Sequence, residues 1–196
     1  MGVLDKLFHR KKEKDGPPAC SAVIVATGRA SRMEGIDKIL CDMGGQPLLL
    51  RTLAPFQASE AVREIVIVTR EDLMVPIGSL CSREGISKVS RVVLGGETRT
   101  ESVLAGVRAA ASDADLIAIH DGARPFVTEE IIRETAALAL ARSAAAPAVP
   151  VKDTIKRARD GVVTETPDRS ELFAIQTPQI FAAPLIRAAL EKAAAE

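Results

Sequence analysis

Three cations, Arg29, Arg32 and Lys38, follow Gly28 among small residues, directly after the apolar run Ala22-Val23-Ile24-Val25-Ala26. Such a combination suits phosphates. Backbone N–H groups approach an anion closely where side chains are small, and fixed positive charges neutralise it. An ordinary strand-to-helix turn with solvated Arg and Lys accounts for this stretch equally well. The loop lacks the GxxxxGK[ST] spacing of a Walker loop, and Ala30 stands where a dinucleotide fingerprint needs its second glycine. A triphosphate, held by Arg32 and Lys38, is the ligand it fits.

Two more segments carry chemistry. Gly95-Gly96 permits close backbone approach to a flat ring, and Thr98, Arg99 and Ser102 follow with hydrogen-bonding groups, although a strand-end turn with a helix cap at Thr98 explains this segment better on its own. In His120-Asp121-Gly122-Ala123-Arg124-Pro125, Asp121 follows an apolar run, a placement suited to a magnesium ligand, and Arg124 is near enough to serve a second anion. His120 reads as a satisfied half-buried imidazole. Further on, Lys152, Lys156, Arg157, Arg159 and Arg169 crowd a polar stretch. An exposed hairpin explains most of them, and Arg169, returning towards Thr177, is the one of interest.

These loops need a scaffold. Strands are expected at Ala22–Ala26, Glu64–Thr69, Val89–Leu94, Leu116–Ile119 and Pro147–Val151. Between them the pattern predicts a helix after Pro47, a broken helix over Glu71–Glu84 interrupted by Pro76 and Gly78, a helix from Thr98, and one from Thr128 to about Arg142. Asp153 to Arg169 reads as an extended arm around the turn Asp160-Gly161, and a last helix starts at Pro184. Alternating strands and helices imply a mostly parallel sheet covered on both faces. Ligands of such sheets bind beyond the carboxyl ends of the strands. That rule gathers the loops at 28–38, 95–102 and 120–125, with the arm and its return at Gln176–Gln179, onto one rim.

Composition narrows the class. The chain has 196 residues, enough for one domain with a sizeable core and at most an added arm. The formal net charge is zero and aromatics are 3%, without Trp or Tyr, which argues against nucleic-acid binding. No apolar run approaches the ~18 residues of a membrane span. The start, MGVLDKLFHRKKEKDGPP, has neither the apolar core nor the cleavage site of a secretory signal, and Lys6 stands where myristoylation wants Ser or Thr. Residues 1–18 read as a mobile basic leader, and 19–196 as one domain with an arm at about 152–170. Cys20, Cys41 and Cys81 lack metal spacing and read as reduced thiols of a cytoplasmic protein.

Five blocks in register, AVIVATGRASRM…DK, GGETRTESVLAG, HDGARP, PVKDTIKRA and DRSELFAIQTPQIF, resemble the 2-C-methyl-D-erythritol 4-phosphate cytidylyltransferase family. They cover nearly all of the chain from Ala22 to Phe181. The resemblance implies a Rossmann-like, three-layer α/β/α nucleotidyltransferase of the glycosyltransferase-A kind, with a mostly parallel sheet and a protruding β-arm. It implies transfer of CMP from CTP to the polyol phosphate with release of pyrophosphate, in isoprenoid precursor synthesis. Carried over residue by residue, Ala26, Thr27, Gly28, Arg29, Ala30 and Ser31 would wrap the CTP phosphates, with Arg32 and Lys38 as the catalytic cations. Gly95, Gly96, Arg99 and Ser102 would read the cytosine. Asp121 would bind magnesium or another divalent cation, beside Ala123 and Arg124. Thr154 and Arg169 would hold the polyol phosphate from a partner's arm, with Thr177 meeting it from the near side, so that a homodimer with crossing arms is expected.

The chain also departs from the pattern. Val25 stands where the family often has proline, Thr27 where it has alanine, Ala30 where it has the second glycine, and Asp37-Lys38-Ile39 where it usually shows Pro-Lys-Gln. Family chains usually continue for a few tens of residues past the point corresponding to Glu196, with a further strand, a second acidic metal ligand and a lysine for the sugar phosphate. A C-terminally truncated form is therefore expected. Two alternatives stay open at this point. A cytidylyltransferase for ribitol 5-phosphate shares most of the blocks, and a nucleotide-binding or dimerisation module without catalysis would follow from the missing segment.

Overall fold

The computed structural model describes residues 18–28 and 37–195. The leader, apart from Pro18, and Arg29, Ala30, Ser31 and Arg32 of the first loop lie outside the described residues.

The centre is a sheet of six strands in the order β3-β2-β1-β4-β10-β5. Strands β1 (Cys20–Ala26), β2 (Val62–Thr69), β3 (Val89–Leu94) and β4 (Leu116–Asp121) are parallel, whereas β10 (Gln179–Ala182) runs antiparallel to β4 and to the short β5 (Ala144–Ala145). β1 is built of small and β-branched residues with Ala22, Val23 and Ile24 fully buried, as a strand covered on both faces must be. Its alternating side chains feed two separate cores. Ala22, Ile24 and Ala26 pack with Leu49, Leu53 and Phe56 of α1 (Leu48–Ala58), Leu73 and Ile77 of α2 (Glu71–Arg83), and Ile132 of α4 (Glu129–Arg142). Val23 packs on the other side with Val103 and Val107 of α3 (Arg99–Ala109) and Ile186 of α5 (Ala183–Ala195). The result is the three-layer α/β/α architecture expected. On the α3 face, a Cβ added to Gly106 would collide with Val23 and with Val68, so that glycine sets how closely the helix lies on the sheet.

Three features differ from the expected layout. Glu71–Arg83 is one continuous helix although Pro76 lies inside it. The proline removes only the bond it would give to the carbonyl of Asp72, and burial of Leu73, Ile77, Leu80 and Cys81 on one stripe outweighs that loss. The strand expected at Pro147–Val151 forms as β6 (Ala148–Pro150), but it lies outside the central sheet and is preceded by the separate β5. Residues 173–175 and 179–182, where no strand is expected and only the return at Gln176–Gln179 is placed, form the antiparallel β9 (Phe173–Ile175) and β10. β9 pairs with β6, and β10 borders the central sheet.

The arm forms as expected. β7 (Arg157–Arg159) and β8 (Val162–Glu165) pair across Asp160 and Gly161, whose φ values of 50° and 78° are those of a hairpin turn that favours Asp-Gly. All residues of the two strands are exposed.

Candidate functional site

The carboxyl ends of β1, β2, β3 and β4 open into one cavity of about 1520 Å³. Ala26, Thr27 and Gly28 line it from the first loop, and Lys38 and Ile39 from the loop's far end. Gly95, Gly96, Thr98 and Arg99 form a second wall; Asp121, Ala123 and Arg124 form a third. The cavity thus brings together ten of the eighteen residues that the family resemblance assigns to the site, at the edge where parallel sheets bind ligands: Ala26, Thr27, Gly28, Lys38, Gly95, Gly96, Arg99, Asp121, Ala123 and Arg124.

Backbone amides and two threonine hydroxyls lock the rim together. Thr69 gives its hydroxyl to the Ala26 carbonyl at 3.1 Å, and the Gly95 amide bonds to the Thr69 carbonyl at 2.8 Å. The Gly122 amide bonds to the Val25 carbonyl at 2.8 Å, while buried Thr52 of α1 donates to the Gly122 carbonyl at the same distance. A Cβ on Gly95 would collide with Thr27 and lie 2.8 Å from Ser102 Oγ, so the second wall approaches the first loop only because that side chain is missing. Thr98 caps α3 in a reciprocal capping box with Glu101.

Asp121 sits between two guanidinium groups. Arg99 Nη2 donates to Oδ1 at 3.1 Å and Arg124 Nε to Oδ2 at 3.0 Å. Arg124 also bonds Gln176 Oε1. Among the described residues, Lys38, Arg70, Arg99 and Arg124 face Glu71, Asp72, Glu97 and Asp121 around this cavity. Four positive groups against four negative ones leave the described wall balanced, so a triphosphate settling here would bring charge that further cations must offset. Among the described residues no group of three or more His, Cys, Asp or Glu is arranged to hold a metal. A single carboxylate such as Asp121 suits only an ion that keeps its waters and shares phosphate oxygens, which is magnesium's habit.

The other predicted site residues lie elsewhere. Ser102 is fully buried and receives the Gly96 amide at 3.2 Å, so it supports the double-glycine turn from behind and does not line the cavity. Thr154 and Arg169 stand exposed on the arm, away from this chain's own cavity; Arg169 bonds the Lys152 carbonyl at 2.9 Å. Thr177 is buried, with its hydroxyl 2.9 Å from His120 Nδ1. His120 is itself wholly buried rather than half-buried, against Phe56. Its Nε2 lies 3.1 Å from the Arg124 carbonyl, which can only accept, so Nε2 carries the proton and Nδ1 accepts from Thr177. Burial pushes this imidazole down to about 4, so it stays neutral at physiological pH.

Arg70, Glu71 and Asp72 were not singled out from the sequence. They follow β2 directly, and the same edge rule would have found them had the segment not been read as the start of a broken helix.

The family model for 2-C-methyl-D-erythritol 4-phosphate cytidylyltransferase matches residues 20–196. The chain belongs to this family. The enzyme of that name from Halalkalibacterium halodurans is 47% identical over 174 residues, covering 88% of this chain and 76% of the relative. That from Geobacter metallireducens is 44% identical over 183 residues, covering 91% and 79%. Among solved structures, the 4-diphosphocytidyl-2C-methyl-D-erythritol synthase of Anaerococcus prevotii superposes with a TM-score of 0.80 at 31% identity, covering 91% of this chain and 76% of the other. The fold of the family is thus the fold described here, a nucleotidyltransferase of Rossmann-like construction. Among the described residues no helix is long and apolar enough to cross a membrane.

Proposed function

We propose that this protein transfers CMP from CTP to 2-C-methyl-D-erythritol 4-phosphate and releases pyrophosphate. The observation that carries the reading is the convergence of Lys38, Arg99, Asp121 and Arg124 on one cavity at the carboxyl edge of the sheet, in a chain matched by that family along residues 20–196. In this reading Gly95 and Gly96 leave room for the base, and Arg99 lies beside it. Ala26, Thr27 and Gly28 contact the triphosphate through the backbone, and Arg29, Ala30, Ser31 and Arg32 continue that contact.

The acceptor's phosphate attacks the α-phosphorus in line, forming a new P–O bond as the bond to pyrophosphate breaks. Both reactants are anions, so the protein's task is alignment and suppression of repulsion; no covalent enzyme intermediate is needed. Lys38 and Arg32 offset charge on the transferring and departing oxygens, and Arg124 draws in the acceptor. Asp121 would hold a magnesium ion, which supplies charge neutralisation at the phosphates. Ser102 and Thr177 serve by holding the Gly96 turn and His120.

The polyol phosphate is completed, in this reading, by Thr154 and Arg169 of a second copy. Support comes from their exposure away from the cavity and from Val149, Phe173 and Ile175 of the β6–β9 ribbon, each more than half exposed, which give a second copy apolar surface to cover. The three cysteines are unpaired with one another, in keeping with a cytoplasmic location. A pyrophosphate-release assay with CTP and either 2-C-methyl-D-erythritol 4-phosphate or ribitol 5-phosphate tests the reading. Turnover with the first and little with the second is expected; the reverse order would reassign the acceptor, and CTP binding without turnover would leave a binding module.

A further inference from the structure

Arg70, the residue between β2 and α2, lines the cavity and bonds to Gly28 and Asp37. Its Nη1 donates to the carbonyl of Gly28 at 3.3 Å, where the loop leaves β1. Its Nη2 donates to the carboxylate of Asp37 at 2.5 Å, where the loop returns. Nε and Nη2 also hold Asp72, at 3.1 and 3.0 Å. One guanidinium therefore ties the carbonyl of Gly28 to the carboxylate of Asp37.

Asp37 passes this restraint on. Its Oδ1 accepts the Ile39 amide at 3.0 Å and its carbonyl accepts the Leu40 amide at 3.0 Å. Ile39 is in turn buried in the core, and its carbonyl accepts from Leu49 at 3.0 Å. Lys38 is thus pinned on its near side by Arg70 through Asp37 and on its far side by the core, while its own side chain stands exposed at the cavity wall. The Arg70 and Asp37 side chains are only 19% and 17% exposed, so water competes weakly for the pair. Two carboxylates already share the Arg70 charge, which leaves it little to offer a phosphate.

We propose that Arg70 is a positioning residue that ties Asp37 to the Gly28 carbonyl and so sets Lys38 for the transfer step. The inference rests on the cytidylyl-transfer reading for its catalytic consequence, and on the geometry alone for the clasp. A lysine cannot replace it, because one ammonium has no fork with which to hold Gly28 and Asp37 together.

Two measurements on the full chain test this. Amide hydrogen exchange of the ligand-free protein should speed up at Ile39 and Leu40 in Arg70→Gln and in the milder Asp37→Asn, with the β1 amides unchanged; unaltered exchange at Ile39 and Leu40 would overturn the clasp whether or not the protein turns CTP over. A double-mutant cycle then reads the consequence. Arg70→Gln should lower kcat by roughly tenfold to a hundredfold, as slight misplacement of a reacting group does, with KM for the acceptor unchanged. In a Lys38→Ala background the same change should cost less than about twofold, because its route of action is gone. Equal losses in the two backgrounds would show that Arg70 acts independently of Lys38 and overturn the proposal. Arg70→Lys should fail to restore kcat, and full restoration would equally refute the forked clasp. A wild type that releases no pyrophosphate would instead count against the transferase reading, and the exchange measurement would still decide the clasp.

Discussion

Thr177 donates its hydroxyl proton to Nδ1 of His120 across 2.9 Å, joining the strand β4 that carries Asp121 to the segment returning from the arm. His120 holds the Arg124 carbonyl with its other nitrogen, so the pair fixes the turn on which Asp121 and Arg124 stand. Thr177→Val would keep the volume and leave Nδ1 buried without a donor. The expected cost is about 1–3 kcal/mol in a urea melt at neutral pH, with kcat reduced through the displaced turn. An unchanged melt would mean that the bond is dispensable.

The same imidazole predicts a pH dependence. Its folded value of about 4 lies below the ordinary 6.5, so the unfolded chain takes up the proton first as pH falls. The stability it contributes is fully present above 6.5, declines between 6.5 and 4, and is gone below. The total is on the order of 3 kcal/mol. Urea midpoints at pH 7.5 and pH 5 should differ in the wild type by more than in His120→Gln. Identical differences in both proteins would assign the pH effect to other groups.

Lys38→Ala should leave the far-ultraviolet spectrum and melting temperature close to those of the wild type, since the side chain is exposed. Turnover should fall about a hundredfold or more, the loss expected when one preorganised charge contact of roughly 3–4 kcal/mol is removed. Steady-state pyrophosphate release checks both kcat and KM. Near-normal turnover would remove Lys38 from the transfer step.

Arg99 meets Asp121 across the cavity at 3.1 Å without lying in the core. Arg99→Ala should raise KM for CTP by roughly tenfold, in line with loss of a single charge-assisted hydrogen bond, and change KM for the acceptor little. An unchanged KM for CTP would mean that the nucleotide lies elsewhere along the cavity.

The arm can be tested without a structure of the assembly. Lys38→Ala and Arg169→Ala should each keep only a small fraction of wild-type activity alone. In a homodimer whose arms complete the partner's site, equal amounts of the two, unfolded and refolded together, should regain about one quarter of wild-type activity, because half the dimers are mixed and each mixed dimer has one intact site. No recovery would place Arg169 in its own chain's site or outside any site.

Much of this layout was legible in the residues. The run Ala22–Ala26 announces a strand buried on both faces, and Val89–Leu94 is bounded by Gly95-Gly96 where the structure ends it. The turn at Asp160-Gly161 has the backbone its residue types demand. The edge rule then brings Lys38, Gly95 and Asp121 to one cavity from far apart in the chain. What escaped was decided by tertiary contact. Pro76 signals a break, yet the buried stripe of α2 carries the helix through it. β10 has only Gln179 to Ala182 and gains its identity from pairing with β4. Arg70 looks like any surface cation until folding brings Gly28 and Asp37 to its two ends. Ser102 and Thr177 carry the right hydroxyl groups, but no local pattern reveals that these point inward.

The most direct measurement is a phosphorus NMR time course of the full chain with CTP, magnesium and 2-C-methyl-D-erythritol 4-phosphate. The expected result is a pair of signals from a new pyrophosphate diester that grow in step with free pyrophosphate, as CTP and the acceptor decline together. Loss of CTP to CMP or CDP with the acceptor phosphate untouched, or no change while CTP is bound, would contradict cytidylyl transfer at this cavity.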